Sequence, residues 1–325
     1  MRYETILGTD LKPSVICLGT SSLGSSIEEN ASFSLLDEFV NLGGNFIDTA
    51  HVYANWLPIE KSISEKTIGK WLKQRNIRDK IILCTKGAHP KLSTMHIPRL
   101  SRDEIVKDLD ESLQYLQTDH IDLYWLHRDD VNRPVGDILE ILNEQVKAGK
   151  IRYFGCSNWN PSRIKETLEY SAKYNLKSFV ANQMMWSFAI ANEESIEDKT
   201  MVLMNEDGFK LHSDTKLTAI PYSSQARGFF SKAYIYGLDY IPGELRDIYF
   251  SKENIERFER LKKLSKELFK NVGQLSMAYL TSQKNFLTMP IIGSHTKEQL
   301  ADSMAADDVV LNQEEIDFLK GKRRF

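Results

Sequence analysis

Short apolar runs alternate with amphipathic segments along the whole 325-residue chain, and this alternation limits the folds open to it. Runs of about strand length that lack polar alternation are typical of strands covered on both faces. The chain has eight: SVICLG, NFIDTA, KIILCTK, HIDLYWLH, KIRYFGCSN, SFVANQ, LTAIPYS and FLTMPIIG. Regular alternation predicts a parallel sheet with helices outside, and the count favours a closed (β/α)8 TIM barrel over an open doubly wound sheet. We therefore expect an α/β fold in which residues 1–325 form one domain.

The amphipathic segments carry helix start and stop signals. Ser101 is followed three residues later by Glu104, which predicts a capping box before a long periodic face. Pro134 and Gly149 stand at the start and end of another helical segment, as the positional preferences of these residues predict. A further helix is predicted over residues 201–212.

The least regular parts of the sequence lie outside the repeat. They are the loop over residues 87–100 and the segment 187–216. Substrate specificity is expected to lie in the loops over residues 88–100, 128–133 and 187–216. The first residues, YETILGTDLKPSV, predict a β-hairpin that turns at residues 8–10 and plugs the bottom of the barrel.

Composition narrows the class of partner. The formal net charge is -3, which gives no electrostatic footprint for nucleic acid or anionic lipid, so a small molecule is the expected partner. Cys17, Cys84 and Cys156 are widely spaced in apolar runs, and buried thiols point to a reducing compartment. The sequence shows neither a signal peptide nor a membrane-spanning run, so we expect a cytoplasmic protein. The basic end, KGKRRF, is interpreted as a solvated chain end.

Polar residues stand where nearly every apolar run stops. In a (β/α)8 barrel the active site lies at the carboxyl ends of the strands, so these residues are expected to converge. Each alone has an ordinary explanation, such as a helix cap, a surface charge or a satisfied histidine. Together they form the main functional signal: Asp48 with Tyr53, Lys86, His127, Ser157 with Asn158, Gln183, Tyr222 with Ser223 and Ser224, and Gly293 with Ser294.

Four of these residues fit one mechanism. The ammonium group of Lys86 is expected to lower the pKa of the Tyr53 phenol, and Asp48 to hold Lys86 as its ion-pair partner. His127 is expected to donate a hydrogen bond to a carbonyl oxygen while Tyr53 protonates that oxygen. The scheme lacks a hydride source, so it requires a bound nicotinamide.

At these residues the chain resembles the aldo-keto reductase superfamily, over essentially its whole length. The matching stretches, in family order, are CLGTSSLG, GGNFIDTAHVY, CTKG, DLYWLHR, KAGKIRYFGCSN, ANQMMW, PYSSQARGFF and PIIGSHTKEQLADS. The resemblance implies a (β/α)8 barrel that uses NAD(P)H to reduce carbonyl compounds. It implies that Tyr53 is the general acid/base and that Asp48, Lys86 and His127 complete a catalytic tetrad.

The resemblance also implies a nicotinamide-binding set, in which Asp48 is included. Ser157, Asn158 and Gln183 match residues that bind the carboxamide, a group that needs both donor and acceptor partners. Tyr222 matches the aromatic residue on which the nicotinamide ring stacks. The rest of the set lies at the end of the first strand, in the loop expected to follow the pyrophosphate and at the expected adenosine-phosphate helix: Gly19, Thr20, Ser223, Ser224, Gln225, Arg227, Gly228, Gly293 and Ser294.

Two departures from the family pattern concern the adenosine end. Gln299 stands where many members have an Arg that pairs with the 2′-phosphate of NADP, and it brings no charge. Asp302 and Ser303 stand in for the Glu and Asn often found against adenine. On family grounds NADP(H) is favoured as cofactor, and NAD(H) is the alternative.

The substrate is the least defined partner. Tyr53, His127, Trp56, Trp159 and Trp186 are candidates for the substrate pocket, although core packing explains the three tryptophans about as well. Charged residues at positions 128–130 suggest a polar, sugar-like carbonyl compound, and a solvated loop explains them equally.

Two rival functions remain at this point. One is a barrel lyase in which Lys86 is a Schiff-base nucleophile, which leaves Asn158, Gln183 and Tyr222 without a purpose. The other is a nicotinamide-binding regulatory subunit with little turnover, which the complete tetrad disfavours.

Overall fold

Eight parallel strands form one curled sheet in the computed structural model, which describes residues 1–322. Residues 323–325 of the basic end lie outside the described part. Neighbouring strands pair in the order β7-β6-β5-β4-β3-β2-β1-β8. The strands are β1 (Cys17–Gly19), β2 (Phe46–Asp48), β3 (Ile82–Gly87), β4 (Ile121–Leu126), β5 (Ile151–Ser157), β6 (Ala181–Gln183), β7 (Thr218–Ala219) and β8 (Ile291–Ile292).

Backbone hydrogen bonds close the sheet between β7 and the segment that leads into β8. Ala219 N donates to Leu287 O (2.9 Å), and Met289 N donates to Ala219 O (2.9 Å). Ala219 and Thr288 form an isolated parallel bridge between the same two segments. The predicted (β/α)8 architecture is therefore confirmed.

Helices follow the strands, with extra helices between β7 and β8 and after β8. They are α1 (Glu29–Asn41), α2 (Ile63–Arg75), α3 (Arg102–Leu116), α4 (Val135–Lys147), α5 (Pro161–Tyr174), α6 (Glu206–Thr215), α7 (Phe229–Tyr236), α8 (Gly243–Tyr249), α9 (Lys252–Leu268), α10 (Val272–Thr281), α11 (Lys297–Met304) and α12 (Gln313–Leu319).

Side-chain capping explains where six of the twelve α-helices within residues 1–322 begin, and the predicted start of α6 is wrong. Ser101 and Glu104 form the predicted capping box at α3. The helix predicted over residues 201–212 begins only at Glu206, capped by Asn205, whose side chain accepts from Gly208 N. The preceding residues are extended, because Leu203 bridges Met185 after β6.

The N-terminal segment pairs with itself as predicted and covers the bottom of the barrel. Tyr3 and Ser14 form an antiparallel bridge, and Gly8 in the turn has φ +79°, a conformation that suits a residue without Cβ. Ile6 and Leu11 are buried against barrel-interior side chains, among them Trp125. This contact seals the end of the barrel opposite the strand ends that carry the candidate site.

The structure bears on the predictions about membrane spans and about the cysteines. No helix within residues 1–322 is long and apolar enough to cross a membrane. The three cysteines are buried and free. That the whole chain forms one domain stays a prediction.

Candidate active site

Lys86 is the centre of a buried polar cluster at the carboxyl ends of β2 and β3. Its Nζ forms an ion pair with the Asp48 carboxylate, and it also donates to Thr49 O (2.9 Å) and to the Tyr53 hydroxyl oxygen (2.9 Å). Lys86 and Asp48 are 2% and 1% exposed. An ammonium group has three donors, so this geometry uses all of them.

The charge balance of this cluster corrects one expectation. Burial alone disfavours the charged form of Lys86, but Asp48 and Tyr53 outweigh burial and raise its pKa, so Lys86 stays protonated. The pKa of Tyr53 is raised, not lowered, because burial of the phenol outweighs Lys86, and the Asp48 carboxylate offsets part of the lysine charge. Lys86 therefore acts in the predicted direction, but the predicted net lowering is wrong, and Tyr53 holds its proton at neutral pH.

His127 follows β4 and lies beside Tyr53. Its backbone N donates to Gly87 O (3.0 Å), which extends the pairing of β3 and β4, and its ring centroid is 6.2 Å from that of Tyr53. Burial lowers the pKa of His127 well below its usual value, and positive Arg128 and Lys86 act in the same direction, so the imidazole is neutral. Nδ1 is buried without a partner, whereas Nε2 is not among the buried unpartnered atoms.

Gln183 joins the cluster to the far side of the barrel. From the end of β6 its Nε2 donates to Asp48 Oδ1 (2.7 Å), while its Oε1 is buried and has no hydrogen-bond partner. Asn158, at φ +60° after β5, donates to Ser157 Oγ (3.1 Å). The Asn158 Oδ1 accepts from Tyr222 Oη (2.6 Å) and Val202 N (3.0 Å). The structure thus brings together the predicted carboxamide set and the predicted stacking residue.

The loop after β7 is anchored at its start and exposed further on. Ser224 is buried and donates to Ile291 O (2.5 Å), which fixes the loop to β8. The backbone is left-handed before Ser224, at Ser223 (φ +51°), and again after it, at Arg227 (φ +52°) and Gly228 (φ +81°). Arg227 forms an ion pair with Glu244, and the arginine side chain is 46% exposed.

Helix α11 begins later than predicted. Gly293 and Ser294 do not open it, because Thr296 is the N-cap and accepts from Gln299 N (3.3 Å). Gln299 Oε1 accepts from His295 N (2.9 Å), so the side chain belongs to the helix start.

Two side chains of α11 contact neighbouring segments. Ser303 Oγ accepts from Gln225 Nε2 (2.9 Å), which links the helix to the loop after β7. Asp302 Oδ1 accepts from Asn271 Nδ2 (2.6 Å) and Gln274 Nε2 (3.0 Å) at the start of α10.

The two predicted residues at the end of β1, Gly19 and Thr20, contribute to the barrel wall. A Cβ on Gly19 would lie 2.7 Å from an Ile291 side-chain carbon, so the close approach of β8 requires glycine here. Thr20 is buried, and its hydroxyl lies 3.0 Å from Asp48 O and 3.0 Å from Ser64 Oγ.

The three candidate substrate tryptophans lie in different environments. Trp56 is 55% exposed, with its ring centroid 6.5 Å from that of Tyr53. Trp159 is 1% exposed and packs edge to face on Phe179 (5.0 Å), which places it in the layer between sheet and helices rather than at the mouth of the barrel. Trp186 contacts an aromatic group away from Tyr53: Phe209, Tyr279 and Phe286.

The charges that follow His127 have internal partners. Arg128 pairs with Asp198 (2.7 Å) and donates to Thr200 Oγ1 (2.6 Å), and Asp129 pairs with Arg163 (3.1 Å). They therefore bind the loop after β6 and the start of α5. They give no support to a sugar-like substrate.

Sequence reasoning missed two contributors to the site. The Thr49 carbonyl that accepts from Lys86 carries no signal in its residue type. His89 lies with its ring centroid 4.7 Å from that of His127, at 70° between planes. Histidine is a residue type common in active sites, but His89 lies three residues beyond Lys86, past the predicted end of the strand, so its position gave no signal.

The residues present fit a nicotinamide. A primary carboxamide offers N–H donors and a carbonyl acceptor, and the orphaned Gln183 Oε1 needs a donor that the described chain does not supply. Ser294 Oγ, at the adenosine end of the predicted set, is also buried without a hydrogen-bond partner in the described chain.

Comparison with known proteins agrees with this geometry. The sequence profile described as the Aldo/keto reductase family matches residues 15–324. An uncharacterized oxidoreductase, YrpG, from Bacillus subtilis is 30% identical, covering 97% of this chain and 93% of its own length. The aldo-keto reductase yakc [NADP(+)] of Schizosaccharomyces pombe is 28% identical over 94% of this chain and 87% of its own length. An aryl-alcohol dehydrogenase [NADP(+)] from Phanerodontia chrysosporium is 27% identical over 96% of this chain and 83% of its own length. The chain belongs to the aldo/keto reductase family.

Proposed function

We propose that this protein reduces an aldehyde or ketone to the alcohol with NADPH, and that Tyr53 delivers the proton. The observation that carries the proposal is the buried Lys86 ammonium, which contacts both the Asp48 carboxylate and the Tyr53 hydroxyl. A carbonyl oxygen that gains negative charge during reduction needs a positioned proton donor, and a phenol beside a fixed positive charge supplies one.

Each member of the tetrad has a separate role. Tyr53 donates its proton to the carbonyl oxygen, and Lys86 stabilises the phenolate that remains. Asp48 keeps Lys86 charged and, through Gln183, ties it to β6. Neutral His127 orients the carbonyl by donating a hydrogen bond from Nε2.

The cofactor set is proposed from the same geometry. When bound, a reduced nicotinamide supplies the hydride that the carbonyl carbon receives. Gln183, Asn158 and Ser157 would hold its carboxamide, and Tyr222, whose hydroxyl is fixed on Asn158, would present its ring for stacking. NADP is favoured over NAD because two relatives carry NADP(+) in their names, although Gln299 supplies no charge for a 2′-phosphate.

The surroundings of Lys86 argue against a Schiff-base lyase. A lysine nucleophile must lose its proton, whereas the pKa of Lys86 is raised and its three donors are engaged. The alternative of a nicotinamide-binding regulatory subunit is tested by measuring whether the protein turns over a carbonyl compound with NADPH.

Two broader proposals remain. We propose a cytoplasmic location, supported by three buried free cysteines. We also propose that Trp56, next to Tyr53, lines the substrate pocket.

A carbonyl panel with NADPH and NADH tests the function. We expect wild-type protein to oxidise NADPH with at least one aldehyde or ketone, and Tyr53→Phe to lose about a thousandfold or more in kcat, because it removes the proton donor. NADPH binding, followed by fluorescence, is expected to persist. Tyr240→Phe is the matched control, since that phenol is 78% exposed. Binding without turnover of any compound would favour the regulatory subunit, and tighter binding of NADH would overturn the preference for NADPH.

A further inference from the structure

His89 is a buried histidine beside the site that the catalytic scheme does not use. It is 8% exposed, and its ring contacts the ring of His127 edge to face at 4.7 Å between centroids. The two imidazoles therefore form one surface next to Tyr53.

A dedicated network holds His89 in this position. Ala88, the residue before it, has φ +58°, a left-handed conformation that costs a residue with a Cβ about 1 kcal/mol or more. The Ala88 N–H donates to Asp108 Oδ2 (2.8 Å), and Arg99 bridges Asp108 (2.9 Å) and the His89 carbonyl (2.9 Å). A strained turn held this firmly at an active site indicates that the position of the next side chain matters.

The hydrogen bonds of His89 fix which nitrogen carries the proton. Nδ1 lies 2.7 Å from the Pro90 carbonyl oxygen, and since a carbonyl only accepts, Nδ1 is the donor. Burial lowers the pKa of His89 to about 4, and nearby Arg128 contributes, so the ring is neutral and Nε2 is left as an acceptor. Nε2 makes no hydrogen bond within residues 1–322 and is not among the buried unpartnered atoms, so part of its surface is accessible to a ligand.

The neighbouring ring carries the opposite group. Both ring nitrogens of His127 lack a partner in the described chain, but only Nδ1 is buried. A buried orphan N–H is rarer than an under-satisfied acceptor, so the proton of neutral His127 belongs on the accessible Nε2. The two touching rings thus offer a donor on His127 and an acceptor on His89.

This pair complements a carbonyl group with a hydroxyl group beside it. We propose that His89 is a specificity-determining residue that accepts a hydrogen bond from a hydroxyl adjacent to the substrate carbonyl, which selects α-hydroxycarbonyl and ortho-hydroxyaryl carbonyl compounds. The proposal rests on the proposed function, because the carbonyl oxygen is assigned to His127 and Tyr53. Polar specificity is thus assigned to His89 rather than to Arg128 and Asp129, whose charges are paired within the protein.

Isosteric substrate pairs test it. Hydroxyacetone is compared with butanone, and 2-hydroxybenzaldehyde with 2-methylbenzaldehyde, as ratios of kcat/KM so that general changes in turnover cancel. Wild-type protein is expected to prefer the hydroxyl compound in at least one pair. His89→Phe keeps an aromatic ring against His127 but has no acceptor, so the ratio is expected to fall about 3- to 10-fold, the usual effect of one neutral hydrogen bond.

His89→Gln supplies the matched rescue, because its amide oxygen reaches the region of Nε2 and restores an acceptor. Recovery of part of the ratio in His89→Gln but not in His89→Phe supports the proposal. A wild-type ratio near one in both pairs, no turnover of any of these four compounds while others are reduced, or a ratio that His89→Phe leaves unchanged overturns the proposal while the reductase function stands. Absence of turnover with every carbonyl compound removes the proposed function itself.

Discussion

The corner around Lys86 and the loop after β7 both carry charge, but they hold it in opposite ways. Lys86 and Asp48 are almost completely buried, and the ammonium already contacts three partners. Arg227 is 46% exposed and pairs with Glu244, which is itself 76% exposed. A buried, fixed charge such as that of Lys86 gives a strong and constant electric field, which suits proton transfer. An exposed pair such as Arg227–Glu244 is weak, so its arginine can exchange the glutamate for a cofactor group. This contrast supports the proposal that the barrel pre-forms its proton donor at Lys86 and Tyr53, and that exchangeable surface groups such as Arg227 would bind the cofactor phosphates.

The largest expected effect comes from breaking the buried pair. Lys86→Met leaves the Asp48 charge buried without a cation, so we expect a loss of about 3 to 5 kcal/mol in the free energy of unfolding, together with most turnover. Urea unfolding measures the stability. Adding Asp48→Asn to Lys86→Met is expected to restore part of the stability but no activity.

The matched control is Lys210→Met in the exposed Lys210–Asp214 pair, for which no measurable loss of stability is expected, because solvent screens the pair. An equal loss in the two single lysine variants would mean that burial does not distinguish the two regions.

A smaller effect concerns acid stability at the histidine pair. The pKa of His89 is about 4 in the folded protein, below the ordinary 6.5, because burial penalises the imidazolium. The unfolded chain therefore binds a proton first, so the stabilising contribution is present above pH 6.5 and is lost as pH falls towards 4. Between pH 7 and pH 5 the loss amounts to about 2 kcal/mol.

Urea unfolding of wild-type protein and His89→Phe at both pH values isolates this contribution. Wild-type stability is expected to fall by about 2 kcal/mol more than that of the variant. Parallel losses would show that His89 is not held neutral by burial.

The smallest expected effect is at the exposed loop. Arg227→Gln removes one cation near the proposed pyrophosphate position, and we expect NADPH binding to weaken about threefold at low salt, with the difference shrinking at higher salt. Titration of NADPH fluorescence at two ionic strengths measures it. Arg75→Gln, in the Arg75–Asp37 pair of α1 and α2, is the control and is expected to bind normally. A hundredfold effect of Arg227→Gln that is insensitive to salt would place Arg227 with the preorganised groups.

The sequence was sufficient to predict the barrel and the convergence of the tetrad, because both follow from where apolar runs stop. Asp48, Lys86 and His127 stand at strand ends, and a parallel barrel brings strand ends together. The raised pKa of Tyr53 could not be predicted, because it depends on burial and on the distance to Asp48, which only packing sets. The position of His89 depends on the left-handed conformation of Ala88, a residue type that rarely signals it.

Transfer of deuterium from the cofactor to the product is the decisive measurement for the proposed reaction and its proton donor. Protein is mixed with NADPH that carries deuterium at the transferable position and with a carbonyl compound that the panel identifies, and the product is analysed by mass spectrometry and NMR. We expect an alcohol with one deuterium on the former carbonyl carbon, and about a thousandfold less of it with Tyr53→Phe. Undiminished deuterated alcohol from Tyr53→Phe, or substrate trapped on Lys86 by borohydride without any deuterated product, would contradict it.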